Sequence, residues 1–516
     1  MQEKSFSFWR QIIWPIHRNE VKKVVSMLLL MALLCVCYSV LRNLKDTVIL
    51  TAANSGAEVI PFIKVWGMLP GAILGTWFYT KLRSKFSREN VFYILVGGFV
   101  AYFLAFAFFI YPNSETLNFT GLAERLSRQL PEGFSGLIAM VCNWTFTMFY
   151  IISELWSVLV LTVLFWGFAN DVTPLSQAKR CYGLFNIGSN MAPILGGFLA
   201  ILFVQNSLSS PEAMTADLWQ KSLIKLSLLI SVFASAAMGV FYWINRKVVP
   251  HDEHATDSHS ESVKKSGKTR LSLRDCIRYI SKSRYLLSLA LIVLGFNIAI
   301  NFTDVLWKAQ LKKHFVNPQD LMNHMNQVTI GIGCIATVGG ILFSIMVRRL
   351  GWTFVAILTP AIMVLMAIGF FSFLFFESAL TGFALTLFGT TPLIMTVYFG
   401  SMQNCLSKAG KYSVFDASKE LAFLALDSES RLRGKAAIDG LGSGVGKSGA
   451  SLTYQALILG LGSVSLSTPY IAGILVAVFA AWIYSVRFIS KEFKTRSDAA
   501  EGVSSEVMQT NASTTS

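Results

Sequence analysis

Apolar stretches recur twelve times along this chain, each bounded by a short polar or basic segment, and this pattern restricts the fold more than any motif does. A run of roughly 20 apolar residues is the length of helix that crosses the hydrocarbon core of a bilayer. Within hydrocarbon every backbone N–H and C=O must be bonded inside the protein, so such runs are read as helices. They fall near 22–42, 60–81, 91–111, 137–168, 182–206, 221–245, 284–307, 327–347, 353–376, 380–405, 436–463 and 466–486. Only 14% of the residues are charged, against about 25% in soluble domains. The expected fold class is an all-α membrane protein with twelve transmembrane helices.

The run at 137–168 is long enough for one helix or two short ones, and the charges decide between them. Counted as one helix, it puts the basic segments on the same side as the N-terminus. These are KLRSKFSR (81–88), QAKR (177–180), the stretch from Arg246 to Arg284, Arg348–Arg349, Lys408 to Lys435 and the tail from Arg487. Lys312 and Lys313 are the exception. Basic loops stay in the cytoplasm, so both termini are expected there. The net charge of +15 is thereby explained by topology, and nucleic acid drops out as a partner in favour of the lipid bilayer.

The N-terminal stretch, residues 1–21, is too polar to open a cleavable signal peptide, so the first run is expected to remain as a membrane helix. Residues 22–245 then form one six-helix half and 284–490 a second. The polar segment 246–283 reads as a cytoplasmic linker, and 491–516 as a disordered cytoplasmic tail. Two six-helix halves joined this way make a major-facilitator-like plan. The seven Cys show neither metal nor disulfide spacing, and those inside apolar runs (Cys35, Cys37, Cys334) read as small core residues. His251, Asp252, Glu253 and His254 in the linker read as solvated chain rather than a metal tract.

An ionisable group in the hydrocarbon costs at least about 2.5–3.5 kcal/mol, so each one needs a reason. Glu154 lies near the middle of the fourth run, with Tyr150, Thr147 and Asn143 at helical spacing on the same face. The seventh run repeats the arrangement with Asn297, Asn301, Asp304 and Lys308. Two such stripes make either a polar pathway or polar glue between helices. Lys45 and Lys308 end the first and seventh runs at equivalent places. They either snorkel to an interface or meet a substrate, with Asp46 and Asp304 near enough to be their counter-ions.

The string GLGSGVGKSGAS (440–451) has the look of a nucleotide-hydrolase loop. The P-loop spacing requires a glycine five residues before Gly446, and Leu441 stands there; no strand or α/β domain surrounds the string. Two readings remain. Gly440, Gly442, Gly444 and Gly446 let helices approach closely, or a loosely wound segment carrying Asp439 and Lys447 turns backbone N–H groups towards an anion. Buried lysines, carboxylates and Asn/Tyr partners together suit a multiply charged anion with a polar or aromatic head. Such a cargo is moved, not converted, so no catalytic residue, metal or cofactor is expected.

Several strings resemble one family. They are KDT (45–47), NSGAEVIPFIK (54–64), NWTF (143–146), ELW (154–156), LFWGFAN (164–170), GTTPL (389–393), LSKAGKYSVFD (406–416), GKAAID (434–439) and GKSG (446–449). In this order, along nearly the whole chain, they are similar to the nucleotide translocases of obligate intracellular bacteria and plastids. The resemblance implies a carrier in the inner membrane that takes up ATP in exchange for ADP and phosphate. Other members take GTP, CTP or UTP, or import nucleotides with protons. It implies essential charges at Lys45, Glu154, Asp304, and Lys435 or Lys447. On this reading Lys45, Lys308 and Lys447 hold phosphates, with Asn143 and Tyr150 near the ribose or base and Asn301 and Asp439 beside them.

The chain departs from the ATP/ADP-type pattern at Cys142 (usually Arg), at Ser157 (usually Gly), at Asp304, which stands three residues before Trp307, and in FLALD (423–427). The alternatives are a proton-coupled net importer of nucleotides and a major-facilitator carrier of another organic anion. A membrane enzyme of nucleotide metabolism would need a catalytic cluster that the sequence does not offer. The carrier is expected to act as a monomer.

Overall fold

The computed structural model describes residues 16–17, 20–204, 212–248, 278–281, 283–424, 426, 428–438 and 443–513. The region around His251 to His254, most of the expected linker, and Asp439 lie outside the described residues. The first half holds α1 (Val21–Leu50), α2 (Val59–Lys85), α3 (Arg88–Ile110), α4 (Trp144–Val172), α5 (Leu175–Phe203) and α6 (Glu212–Trp243, continuing to Val248). The second begins with α7 (Arg284–His314) and Pro318–Phe375, which a break at Gly351 divides into α8 and α9. It ends with α10 (Pro392–Leu424), α11 (Ser443–Leu461) and α12 (Val464–Ser513). Among the described residues these long helices account for the twelve expected spans, and the fold is all-α and major-facilitator-like.

By length and apolarity alone, eight described helices are able to cross a membrane, or nine when Glu377–Phe388 and Pro392–Leu424, bent by 78°, are taken as one span. That test counts α8 and α9 once. It does not include α5 or α11, which opens on SGVGKSGAS. The run at 137–168 is broken at Asn143 into the short helix Ser135–Cys142 and the long helix Trp144–Val172, of which only the second is long enough to span. α12 runs on to Ser513, where the sequence led us to expect chain without structure; Lys, Glu and Ala in that stretch are good helix formers. Cys35, Cys37, Cys142 and Cys181 are buried, but Cys334 is exposed on α8, a correction to its reading as a core residue. A thiol is apolar enough to sit on the outer surface of a membrane helix.

The break between α8 and α9 depends on one residue. Gly351 has φ 79° and ψ 162°, a region open essentially to glycine alone, and no atom lies within 4 Å of where its Cβ would be. Gly351→Ala is therefore expected to cost about 1–3 kcal/mol through backbone strain alone, read as a lower melting temperature of the detergent-solubilised protein. An unchanged melting temperature would show that the break tolerates an ordinary residue.

The chain divides into two compact units. The first contains α1 to α6 together with Leu311–Thr337, and the second contains α7 up to Gln310 and everything from Val338 onward. In the first unit α1 is the central helix, packed against α4, α5 and α6. It is mostly apolar and largely buried, and its buried polar residues Asn43, Lys45 and Asp46 face partners within the unit. Early α8 joins this unit through a polar contact and a close approach. Asn43 Nδ2 donates to Asn326 Oδ1 (2.7 Å) and Thr329 Oγ1 (2.9 Å). Gly197 on α5 and Gly333 on α8 let the two backbones come together, since a Cβ at Gly333 would lie 2.9 Å from the Asn190 carbonyl oxygen.

In the second unit α7 is the buried helix. Gly295 and Phe296 on α7 pack against Trp482 on α12, and Phe296 stacks on Phe415. The Tyr285 hydroxyl donates to the Ala422 carbonyl (2.8 Å). Gly446 meets Asn297, its missing Cβ 2.9 Å from the Asn297 Cβ, so at this position the glycine-rich string serves close helix packing.

Candidate functional site

Among the described residues, a buried charge cluster stands in each unit, on α1 in the first and on α7 in the second. In the first, Lys45 on α1 is 2% exposed. Its Nζ lies 3.0 Å from Asp46 Oδ1 and 3.1 Å from Glu154 Oε1, and 3.7 Å from the centre of the Tyr150 ring. Tyr150 and Glu154 are four residues apart on α4, so ring and carboxylate share a face and meet the ammonium together. A cation over an aromatic face is attracted by the ring quadrupole. The Tyr38 hydroxyl on α1 donates to Glu154 Oε2 (3.3 Å). Two residues after Glu154, the Trp156 indole donates to the Leu34 carbonyl (3.1 Å) and fastens α4 to α1.

In the second unit Asp304 and Lys308 form a 2.8 Å ion pair one helical turn apart on α7. Asp304 Oδ1 also accepts from Asn404 Nδ2 (2.9 Å) and from Lys408 Nζ (3.3 Å), both on α10. Asn404 and Lys408 are themselves four residues apart. The cluster is thus two facing pairs, with the Trp307 indole donating to Ser401 Oγ (3.0 Å) to hold α7 to α10. Lys45 stands 24 residues after Val21, and Lys308 stands 24 after Arg284, at matching depths in the first and seventh helices.

Both clusters sit where a helix changes its winding. The turns widen to i→i+5 bonding over Trp156–Phe165, just past Glu154, and over Lys411–Phe415, just past Lys408. Such insertions are found frequently at functional sites, though in this chain they also occur at Ile63–Met68, Phe106–Ile110 and Ile244–Val248. A charge buried without a partner would cost several kcal/mol, and both lysines stand against carboxylates here. Each cluster is therefore able to exchange one anion for another at its lysine.

The remaining residues singled out in the sequence are placed as follows. Asn143, 4% exposed, begins α4 and donates to the Ala53 carbonyl (2.9 Å), tying that helix to the turn after α1. Asn301 donates to the Asn297 carbonyl one turn back (2.8 Å). Lys435 pairs with Glu420 at 2.5 Å, both side chains nearly half exposed. Lys447 is exposed on α11. Cys142 is buried against Ala123 and Ile138. The structure thus brings together Lys45, Tyr150 and Glu154, and separately Asp304 and Lys308.

Sequence reasoning missed Lys408, Asn404 and Tyr38. Lys408 was counted with a basic cytoplasmic segment, but α10 continues to Leu424 and carries it inside the helix. The signal was present as the spacing of Ser401, Asn404 and Lys408, a polar stripe like that of the seventh run.

Solved structures of similar fold include a D-xylose–proton symporter (TM-score 0.52, 14% identity, covering 90% of this chain and 96% of that one). A nucleoside transporter also matches (TM-score 0.50, 11% identity, 92% and 99% covered). At these identities the likeness speaks for the fold alone. The chain is 38% identical over 505 residues to "ADP,ATP carrier protein 1" of Chlamydia pneumoniae, spanning 97% of both. It is 37% identical over 474 residues to the "Plastidic ATP/ADP-transporter" of Solanum tuberosum, spanning 92% of this chain and 73% of that one. These relatives are named as carriers, not enzymes. The family model described as "TLC ATP/ADP transporter" matches residues 1–493, and the chain belongs to that family.

Proposed function

We propose that this protein is a nucleotide carrier of a bacterial inner membrane that takes up ATP in exchange for ADP by alternating access, acting as a monomer with both termini in the cytoplasm. The observation that carries this reading is the pair of buried lysines held against carboxylates. A nucleoside triphosphate brings about four negative charges, and charge-assisted bonds to lysines are the strong contacts available to it. Within each unit the lysine takes an anionic oxygen in place of its carboxylate, Lys45 in place of Glu154 or Lys308 in place of Asp304, and the carboxylate receives the lysine back when the anion leaves. Tyr150, already against an ammonium, offers a ring face beside the phosphates. Full-length similarity to proteins named ADP,ATP carriers supports ATP and ADP as the cargo.

The test is uptake of labelled ATP, GTP, CTP and UTP into bacterial cells expressing the chain, with and without a protonophore, followed by a chase with unlabelled ATP or ADP. Chase-dependent efflux that ignores the protonophore is the expected result. Uptake that collapses with the proton gradient and shows no counter-exchange would replace exchange by proton-coupled import. No uptake of any nucleotide would sink the reading.

A further inference from the structure

We propose that Lys408 is a third phosphate-binding lysine of this carrier and that Asp304 is the built-in anion it releases when substrate enters. The inference rests on the nucleotide-carrier reading above and names a residue that reading does not contain.

Three observations carry it. The first is geometry. One carboxylate, 7% exposed, receives the Lys308 ammonium at 2.8 Å, Lys408 at 3.3 Å and the Asn404 amide at 2.9 Å. Two ammonium groups and an amide around a shared oxyanion are the donor set a phosphate group would meet. The carboxylate occupies the place of such an anion. The second is access. The Lys408 side chain is 19% exposed against 5% for Lys308, and its contact to Asp304 is the longer one, so Lys408 is the donor that an incoming anion reaches with least rearrangement.

The third is the correspondence between the units. In the first, the lysine of the opening helix meets a charged residue of the fourth helix, Glu154, just before a widened stretch of turns. In the second, the fourth helix again presents a charged residue just before such a stretch, and that residue is Lys408. The sign is reversed. The first unit answers its lysine with two carboxylates, and the second answers its carboxylate with two lysines. A polyanion is therefore held more strongly by the Asp304 cluster, whose donors all point at one spot.

KM and kcat for labelled ATP and ADP, normalised to membrane abundance, test this in the full-length chain and in Lys408→Gln, Lys408→Arg and Asp304→Asn. Losing one charged contact to phosphate is expected to raise KM about 10- to 100-fold in Lys408→Gln, more for ATP than for ADP, with Lys408→Arg staying close to wild type. Asp304→Asn removes the competing anion and is expected to lower KM while slowing turnover, because phosphate then leaves reluctantly. A wild-type KM in Lys408→Gln, with only abundance or kcat reduced, overturns the proposal. If Lys408→Gln does not reach the membrane, Asp304→Asn decides alone, and a KM equal to or above wild type overturns it. Failure of the wild-type chain to transport any nucleotide counts against the carrier reading; transport by wild type with an indifferent Lys408 counts against this inference only.

Discussion

Lys45→Met is expected to lower nucleotide uptake by about 100-fold through the lost charged contact to phosphate, and to cost ~3–5 kcal/mol of stability as one partner of a buried ion pair. The substitution keeps the length of the stem and deletes the charge that stands 3.0 Å from Asp46 and 3.1 Å from Glu154. Two carboxylates would then lose the ammonium that stands between them, so part of the loss will appear as reduced folded protein in the membrane. The double variant Lys45→Met with Glu154→Gln separates the two effects. It removes one of the two carboxylates that lost the Lys45 ammonium, leaving Asp46, and is expected to restore part of the abundance but not transport, since no ammonium stands there to attract phosphate. Uptake by the double variant close to wild type would show that the pair serves folding alone.

Gly333→Leu is expected to be the most damaging substitution away from the charge clusters. A Cβ at this position would lie 2.6 Å from Ile194 Cγ1, 2.9 Å from the Asn190 carbonyl oxygen and 3.2 Å from the Ile194 amide nitrogen. Two of these are backbone atoms and cannot turn aside. From the other helix, a Cβ at Gly197 would lie 2.7 Å from Ile330 and 3.0 Å from the Asn326 carbonyl oxygen. Overpacking of this kind costs about 1–3 kcal/mol, and here it also pushes α8 off Asn43, breaking the bonds to Asn326 and Thr329. The measurement is the melting temperature in detergent, with Gly340→Ala as the control on the same helix. Gly340 has no atom within 4 Å of its missing Cβ, and replacing an unneeded helix glycine is expected to be neutral or stabilising by about 0.5–1 kcal/mol. Equal melting temperatures for the two variants would mean that the close approach of α5 and α8 does not hold the unit together.

Much of the fold was legible because a membrane helix announces itself by length and apolarity, which need no knowledge of its neighbours. Twelve runs were read and twelve long helices lie on them among the described residues, the run at 137–168 giving one long helix, Trp144–Val172, after a break at Asn143. The tail was misjudged because polar composition alone does not exclude helix, and α12 continues to Ser513. The pairings Lys45–Asp46 and Asp304–Lys308 were legible for a related reason. A charge in hydrocarbon needs a partner, and the nearest candidates were adjacent or one helical turn away. Lys408 was lost at a boundary. Its neighbours past 405 turn polar, so the apolar run stopped short of it although the helix did not.

The sequence by itself determined that the chain crosses a membrane as helices, that its family is that of the nucleotide translocases, and which ionisable groups stand in the hydrocarbon at a cost needing explanation. These depend on residue type and spacing along one chain. Only the tertiary structure decided that Glu154 joins Asp46 at Lys45, that Asn404 and Lys408 converge on Asp304, that early α8 belongs with the first six helices, and that Lys435 pairs with Glu420 at the surface. Contacts between helices far apart in sequence are set by which faces turn towards each other and how closely the glycines let them come, and no periodicity within a single helix encodes that.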